Sequence, residues 1–272
     1  MTTDHELVDT LDEVWTSIDA FAEGLDEAGW KQPTELPGWT VQDTLAHLGT
    51  LELMLLGRPV AGTDVAAGLP HVKNDIGLAN ERVVESRRPW TGAAVHAEFH
   101  AATRERVAWL RGLDADGFGA AAWTPRGPGT VRVQLGFRIF DSWVHEQDMR
   151  RAVGRPGGLD GRGAAHCLGM MAEVMPFVVG KKAGAPDGCT VVFALEGPCA
   201  RDVAVGVVGG RAALLDERPA SPTVTLGMGT ETFARLATGR LGPAGAVDAG
   251  AVVLGGDDRL GRRVLAEMNY LF

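Results

Sequence analysis

Two histidines and one carboxylate, His47, Asp141 and His145, are of the types and spacing that bind a divalent metal ion. His47 lies in Pro37-Gly38-Trp39-Thr40-Val41-Gln42-Asp43-Thr44-Leu45-Ala46-His47-Leu48, and the other two in Asp141-Ser142-Trp143-Val144-His145. Asp141 and His145 are spaced i, i+4, so on a helix both point from one face. A distant His47 brought alongside them completes three protein ligands and leaves one position open for water or substrate, as in catalytic zinc sites. A lone helical histidine is more often structural, and charged pairs at this spacing often only decorate a wet face. The flanks point to burial instead: Leu45, Leu48 and Leu51 around His47, and Phe140, Trp143 and Val144 around the pair. Asp43, one turn before His47, and Asp148, three residues after His145, are placed to hold an imidazole from behind.

Other residues carry weaker signals. His145-Glu146 is not a zinc-protease motif, because Met149 stands where a second histidine is required. His96 and His100 are another i, i+4 pair, but they flank the apolar positions Val95 and Phe99 and read as structural or solvated. Gly255-Gly256-Asp257 reads as a strand–helix turn with Asp257 near an N-cap, since it lacks both the dinucleotide and the P-loop patterns. Arg82, Arg138, Arg235 and Arg240 are each able to pair with a substrate carboxylate, and spacing does not choose among them. Cys167, Cys189 and Cys199 form neither a disulfide framework nor a metal knuckle.

Composition narrows the partners. A net charge of −9 argues against nucleic acid, whose phosphates need a basic surface. No basic amphipathic stretch suits an anionic membrane, and apolar runs such as Val203–Val208 are too short to span one. The polar, acidic start Met1-Thr2-Thr3-Asp4-His5-Glu6 lacks the pattern of a secretory signal, which points to the cytoplasm. A small molecule is the expected partner.

The elements that must position the trio fall in two halves. All seven tryptophans precede residue 155, where 15 basic residues face 23 acidic ones; afterwards the balance is 11 against 12. Glycine rises in the second part, and Gly154-Arg155-Pro156-Gly157-Gly158 breaks any helix. Two domains, 1–155 and 156–272, are expected. In the first, helices are predicted over about 4–28, 40–57, 74–112 with a break at Pro89, and 133–153, with a Gly/Pro-rich loop over 117–129. Thr40 and Asp43 resemble a capping box. Four such helices suggest a bundle. In the second, a helix over 160–180 precedes strands near 189–195, 201–208, 211–215, 223–226 and 251–254, with helices near 230–238 and 258–268. Gly209-Gly210 marks a hairpin. The fold class is α+β, a four-helix bundle followed by a small domain with a mostly antiparallel sheet.

The segment from Pro37 to Leu48 resembles the metal-binding signature of DinB-like bundles. With Trp143-Val144-His145-Glu146-Gln147-Asp148-Met149-Arg150-Arg151-Ala152-Val153-Gly154 it resembles the mycothiol-dependent maleylpyruvate isomerase family of actinobacteria. Val224-Thr225-Leu226, Phe233–Arg240 and Gly255-Gly256-Asp257 look like that family's sterol-carrier-like domain. The resemblance implies a DinB-like metal-binding bundle and that small domain. It implies zinc, or another divalent ion, on His47, Asp141 and His145. Mycothiol is the implied thiol, used to isomerise a maleylpyruvate-like double bond or to transfer sulfur to an electrophile. The family's carboxylate ligand is typically Glu, so Asp141 is a departure. Arg82 and Arg240 are the arginines expected to steer substrate carboxylates. A non-catalytic binding or regulatory protein on the same fold, and a thiol-independent metal hydrolase, are the competing readings.

Overall fold

A threonine opens each of the four longest helices in the first half of the computed structural model, which describes residues 2–65 and 68–271. The chain divides into two compact units, Met1–Gly158 and Leu159–Phe272. In chain order the first holds α1 (Asp4–Glu23), α2 (Glu27–Trp30), α3 (Val41–Leu55), α4 (Asp75–Glu85), α5 (Gly92–Arg111), α6 (Ala115–Gly119), β1 (Ala121–Thr124), β2 (Gly127–Thr130) and α7 (Val131–Ala152). Thr3, Thr40, Thr91 and Thr130 cap α1, α3, α5 and α7, each accepting from the backbone N–H three residues on. At α3 the capping box read from sequence is present, with Asp43 reaching back to the Thr40 backbone.

Those four helices close a bundle: α1 packs on α5 and α7, and α3 packs on the same two. Their apolar faces supply a core of Val8, Leu11, Trp15, Ile18, Leu45, Leu48, Phe99, Leu110, Leu135 and Ile139. The Trp15 indole donates to Ser142 Oγ at 2.9 Å, so even this buried N–H is satisfied. The structure departs from the expected elements in three places. The first helix stops at Gly24, after which Asp26 caps the short α2. The break around Pro89 divides the third stretch into α4 and α5, and only α5 joins the ring. The Gly/Pro-rich loop contains α6 and a hairpin, in which Trp123 pairs with Pro128 and Gly127 takes φ +98. A period-2 pattern is hard to see in Gly-Pro-Gly-Thr, and only glycine adopts that φ without strain.

In the second unit α8 (Arg162–Pro176) runs on into a π-helical segment, Phe177–Lys182, where Pro176 interrupts the α pattern. It then holds β3 (Thr190–Glu196), β4 (Arg201–Val208), β5 (Arg211–Leu214), β6 (Val224–Gly229), α9 (Thr230–Ala237), α10 (Pro243–Asp248), β7 (Val252–Gly256) and α11 (Asp258–Ala266). The sheet order is β5-β4-β3-β6-β7, with every pair antiparallel except β3–β6. The expected hairpin forms at Gly209 and Gly210, with φ 60 and 73. Asp257 caps α11. The span Arg162–Lys182 is, by length and composition, apolar enough to cross a membrane, contrary to the sequence expectation of short apolar runs. Within its unit Leu168, Met171, Met175 and Val179 are buried, and α8 packs on β4 and β5, which is how the core helix of a sheet domain behaves.

Gly92, the first residue of α5, lies against the buried Trp30 ring; an added Cβ would sit 2.1 Å from it. Gly92→Ala is expected to displace Trp30 and to lower stability by roughly 1–3 kcal/mol, as overpacking does. Urea unfolding followed by tryptophan fluorescence measures the loss.

Candidate metal centre

Helices α3 and α7 pack together in the bundle, and their facing sides carry the chemistry. His47 is buried on α3; Asp141 and His145 stand one turn apart on α7, buried except for part of the carboxylate. The three come together. Asp141 Oδ2 lies 3.4 Å from His47 Nε2 and Asp141 Oδ1 lies 3.4 Å from His145 Nε2. The imidazoles meet edge to face, centroids 5.2 Å apart. One donor atom from each residue lies within 4.8 Å of the others.

The donor set suits a divalent transition ion. Two ligands at zinc distances on a tetrahedron are about 3.3 Å apart, close to these separations and longer than a good hydrogen bond. Two imidazoles and one carboxylate leave a fourth position free. Asp141 is the most exposed of the three side chains, at 31% against 6% for His47 and 10% for His145.

Charge prepares the donors. Burial lowers the pKa of His47, although Asp141 partly offsets it, so this imidazole is neutral and offers a lone pair. Burial works against Asp141 ionising, but His145 and Arg138 outweigh it and hold the carboxyl well below its usual range. Burial also works against the His145 cation; the charge and hydrogen bonds of Asp141 and then Asp148 prevail, and its pKa rises to about 9.

Each donor is held from behind. Asp148, fully buried, lies 3.2 Å from His145 Nδ1 and accepts from Arg151 Nη2 at 2.8 Å, while Arg151 Nε donates to Glu35. Of the two aspartates read as supports, Asp148 serves and Asp43 does not. Asp43 caps α3 and pairs with Arg88 at 3.4 Å instead. Arg138 Nη1 donates to Asp141 Oδ2 at 2.6 Å, and its Nε donates to Glu52 Oε1 at 2.5 Å. Glu52 also faces Arg106 Nε at 3.5 Å. Trp39 packs at a tilt beside both imidazoles, its ring centroid 5.3 Å from that of His47 and 6.3 Å from that of His145. Its Nε1 donates to the buried Glu81, which also takes His71 and Arg88. Burial would raise Glu81, but these three donors bring it below its usual value.

Glu52, Glu81 and Trp39 were not found in the sequence, and Arg138 was named without being chosen. The available signals were slight: an isolated acid in the apolar run Leu51-Glu52-Leu53, and an arginine three residues before Asp141. Arg82 lies on α4 with Asp64 3.9 Å away, both exposed. Arg240 belongs to the second unit and donates to the Thr238 carbonyl at 2.7 Å. Arg82 contacts none of the three donors among the described residues. His96 and His100 both bond Asp19, fastening α5 to α1.

Comparison with known proteins gives a family. Residues 11–150 match the mycothiol maleylpyruvate isomerase N-terminal domain, and residues 165–263 match the MDMPI C-terminal domain of the same name. Among solved structures, the mycothiol-dependent maleylpyruvate isomerase and a His-to-Ala mutant of it share the fold. Each superposes with a TM-score of 0.59 at 16% identity, covering 94% of this chain and 96% of its own. No curated protein sequence matches.

Removing Glu52 leaves Arg138 and Arg106 buried beside each other. Glu52→Ala is expected to cost about 3–5 kcal/mol, as for a broken buried pair. Glu105→Ala, whose partner Arg58 is exposed, should cost under about 1 kcal/mol. Denaturant unfolding of both variants makes the comparison.

Proposed function

Since the chain belongs to the mycothiol-dependent maleylpyruvate isomerase family, we propose that it is a zinc-dependent enzyme that uses mycothiol to isomerise a maleylpyruvate-like substrate or to transfer sulfur to a related electrophile. The observation that carries the reading is the meeting of His47, Asp141 and His145 around one point, with the carboxylate partly exposed. Zinc or a like ion held by them would bind the thiol sulfur and favour its ionised form.

The chain's own residues support this chemistry. Neutral His47 and ionised Asp141 are in their ligating states before any ion arrives. Asp148 takes the Nδ1 side of His145, which turns Nε2 toward Asp141. Arg138 keeps Asp141 from swinging toward solvent. Trp39, held by Glu81, packs at a tilt beside both imidazoles. We extend the reading to Arg82 and Arg240 as cations for substrate carboxylates, and to a cytoplasmic location.

Elemental analysis of protein purified without chelator should find about one metal ion per chain, lost in His47→Ala. Maleylpyruvate should be turned over only when mycothiol is added. Turnover without thiol would favour the hydrolase, and metal-free protein that binds no added zinc would defeat the whole reading.

The pH dependence has a definite sign. Below about 9 His145 carries a proton in the metal-free protein, and ligation must expel it. Zinc affinity should therefore rise by about tenfold per pH unit from the neutral range toward 9. Calorimetry in buffers of different ionisation enthalpy should register close to one proton released at pH 7.5. No proton release at that pH would contradict the assignment.

A further inference from the structure

Arg126 is the one arginine of the first unit whose guanidinium reaches neither a carboxylate nor a carbonyl among the described residues. Arg58, Arg87, Arg88, Arg104, Arg111, Arg132 and Arg150 pair with carboxylates, and Arg155 takes the carbonyls of Phe21 and Gly24. Arg106 and Arg138 are committed to Glu52. Arg126 instead lies over the ring of Phe137, 5.3 Å from its centroid. Stacking of this kind holds a guanidinium flat and leaves its N–H edge available.

Its place on the fold is informative. Phe137 precedes Asp141 by one turn of α7, and the stripe Val133, Phe137, Asp141 is left partly uncovered, Val133 being 45% exposed. Four residues of helix rise by about 6 Å, so the ring that carries the guanidinium is rooted one turn before Asp141 on the same stripe of α7. Trp123, 54% exposed, is carried by the same hairpin.

The hairpin is fixed to the centre. At its turn Arg126 N–H donates to Thr124 Oγ1 at 3.2 Å, and that hydroxyl donates to the Gly127 carbonyl at 2.8 Å. The Trp123 carbonyl accepts from Gln134 Nε2 at 2.8 Å, and Gln134 Oε1 accepts from Arg106 Nη2 at 3.0 Å. Arg106 faces Glu52, Glu52 holds Arg138, and Arg138 holds Asp141. A line of polar groups, buried from Gln134 to Arg138, therefore runs from the hairpin to the carboxylate of the centre.

We infer that Arg126 is a specificity-determining residue, anchoring a substrate carboxylate a few bonds from the carbon that reacts at the metal centre. The inference rests on the proposed reading of that centre. It also meets an electrostatic need, since a chain of net charge −9 repels an anionic substrate unless a local cation draws it in.

Maleate, an unreactive cis dicarboxylate, is the probe. It is titrated calorimetrically into the zinc-loaded full-length protein and its variants. Arg126→Ala should weaken maleate binding by about tenfold, and Arg126→Lys by less, the size of a lost charge-assisted carboxylate contact. Arg132→Ala, which removes a nearby exposed cation paired with Asp4, should leave the affinity within about twofold. Monomethyl maleate should lose much of the difference between wild type and Arg126→Ala. Equal maleate affinity in wild type and Arg126→Ala, an equal loss in Arg132→Ala, or no maleate binding by wild type would each overturn the anchor. Failure of the thiol reading looks different: maleate binds in an Arg126-dependent way while mycothiol drives no turnover of maleylpyruvate.

Discussion

The rest of the first unit depends on the burial of paired charged side chains between α3 and α7, joined by Arg106 of α5. Glu52, Arg106 and Arg138 are taken out of water inside an otherwise apolar bundle. Desolvation is costly for each, and only mutual pairing offsets it. That fixes the register of the two helices: a shift by one residue would turn Glu52 about 100° away from Arg138 and leave both uncompensated. The same register sets His47 opposite Asp141 and His145. The convergence of the three candidate ligands and the buried ion pair are thus two consequences of one helix–helix alignment.

The charges of the candidate centre are suited to a cation. Asp141 is ionised, His47 neutral, and His145 holds a proton because two carboxylates face it. The Nε2 proton faces Asp141, while Asp148 takes the Nδ1 side of the ring. An ion entering there replaces a charge the surroundings already stabilise, so little reorganisation is needed. Arg138 contributes twice, holding one oxygen of Asp141 and completing the pairing of Glu52. Removing it would disturb the ligand and the helix alignment together.

Much of this was legible in the sequence. The helical periodicity of the first half, the Thr40–Asp43 cap, the Gly209-Gly210 hairpin and the Asp141–His145 pair are local signals, readable from spacing over a few residues, whereas His47, 94 residues before Asp141, was picked out by its type and apolar flanks. What escaped has non-local causes. Glu52 looks like an ordinary surface acid until α5 and α7 bring Arg106 and Arg138 to it. Glu81 is 42 residues from Trp39, whose indole it holds. Asp43 sits at the right helical spacing to support His47, yet its carboxylate is taken by the cap and by Arg88. The hairpin after α6 was hidden because glycine and proline carry no side-chain alternation. Its positive φ at Gly127 is visible only in three dimensions.

The shorter carboxylate at position 141 can be understood in the same terms. Replacing Glu by Asp withdraws the oxygens by about one carbon–carbon bond, and a ligand drawn back by that much would fall short if the helices kept a wider spacing. Here both Nε2 atoms already lie 3.4 Å from the Asp141 oxygens, one on each. The short side chain also has fewer rotamers to lose, and Arg138, three residues earlier on the same helix, takes one of its oxygens at 2.6 Å. A longer Glu at this position would push its carboxylate toward the imidazoles or past the reach of Arg138. The local geometry therefore suits Asp as the third candidate donor, held by the arginine and glutamate that stand behind it.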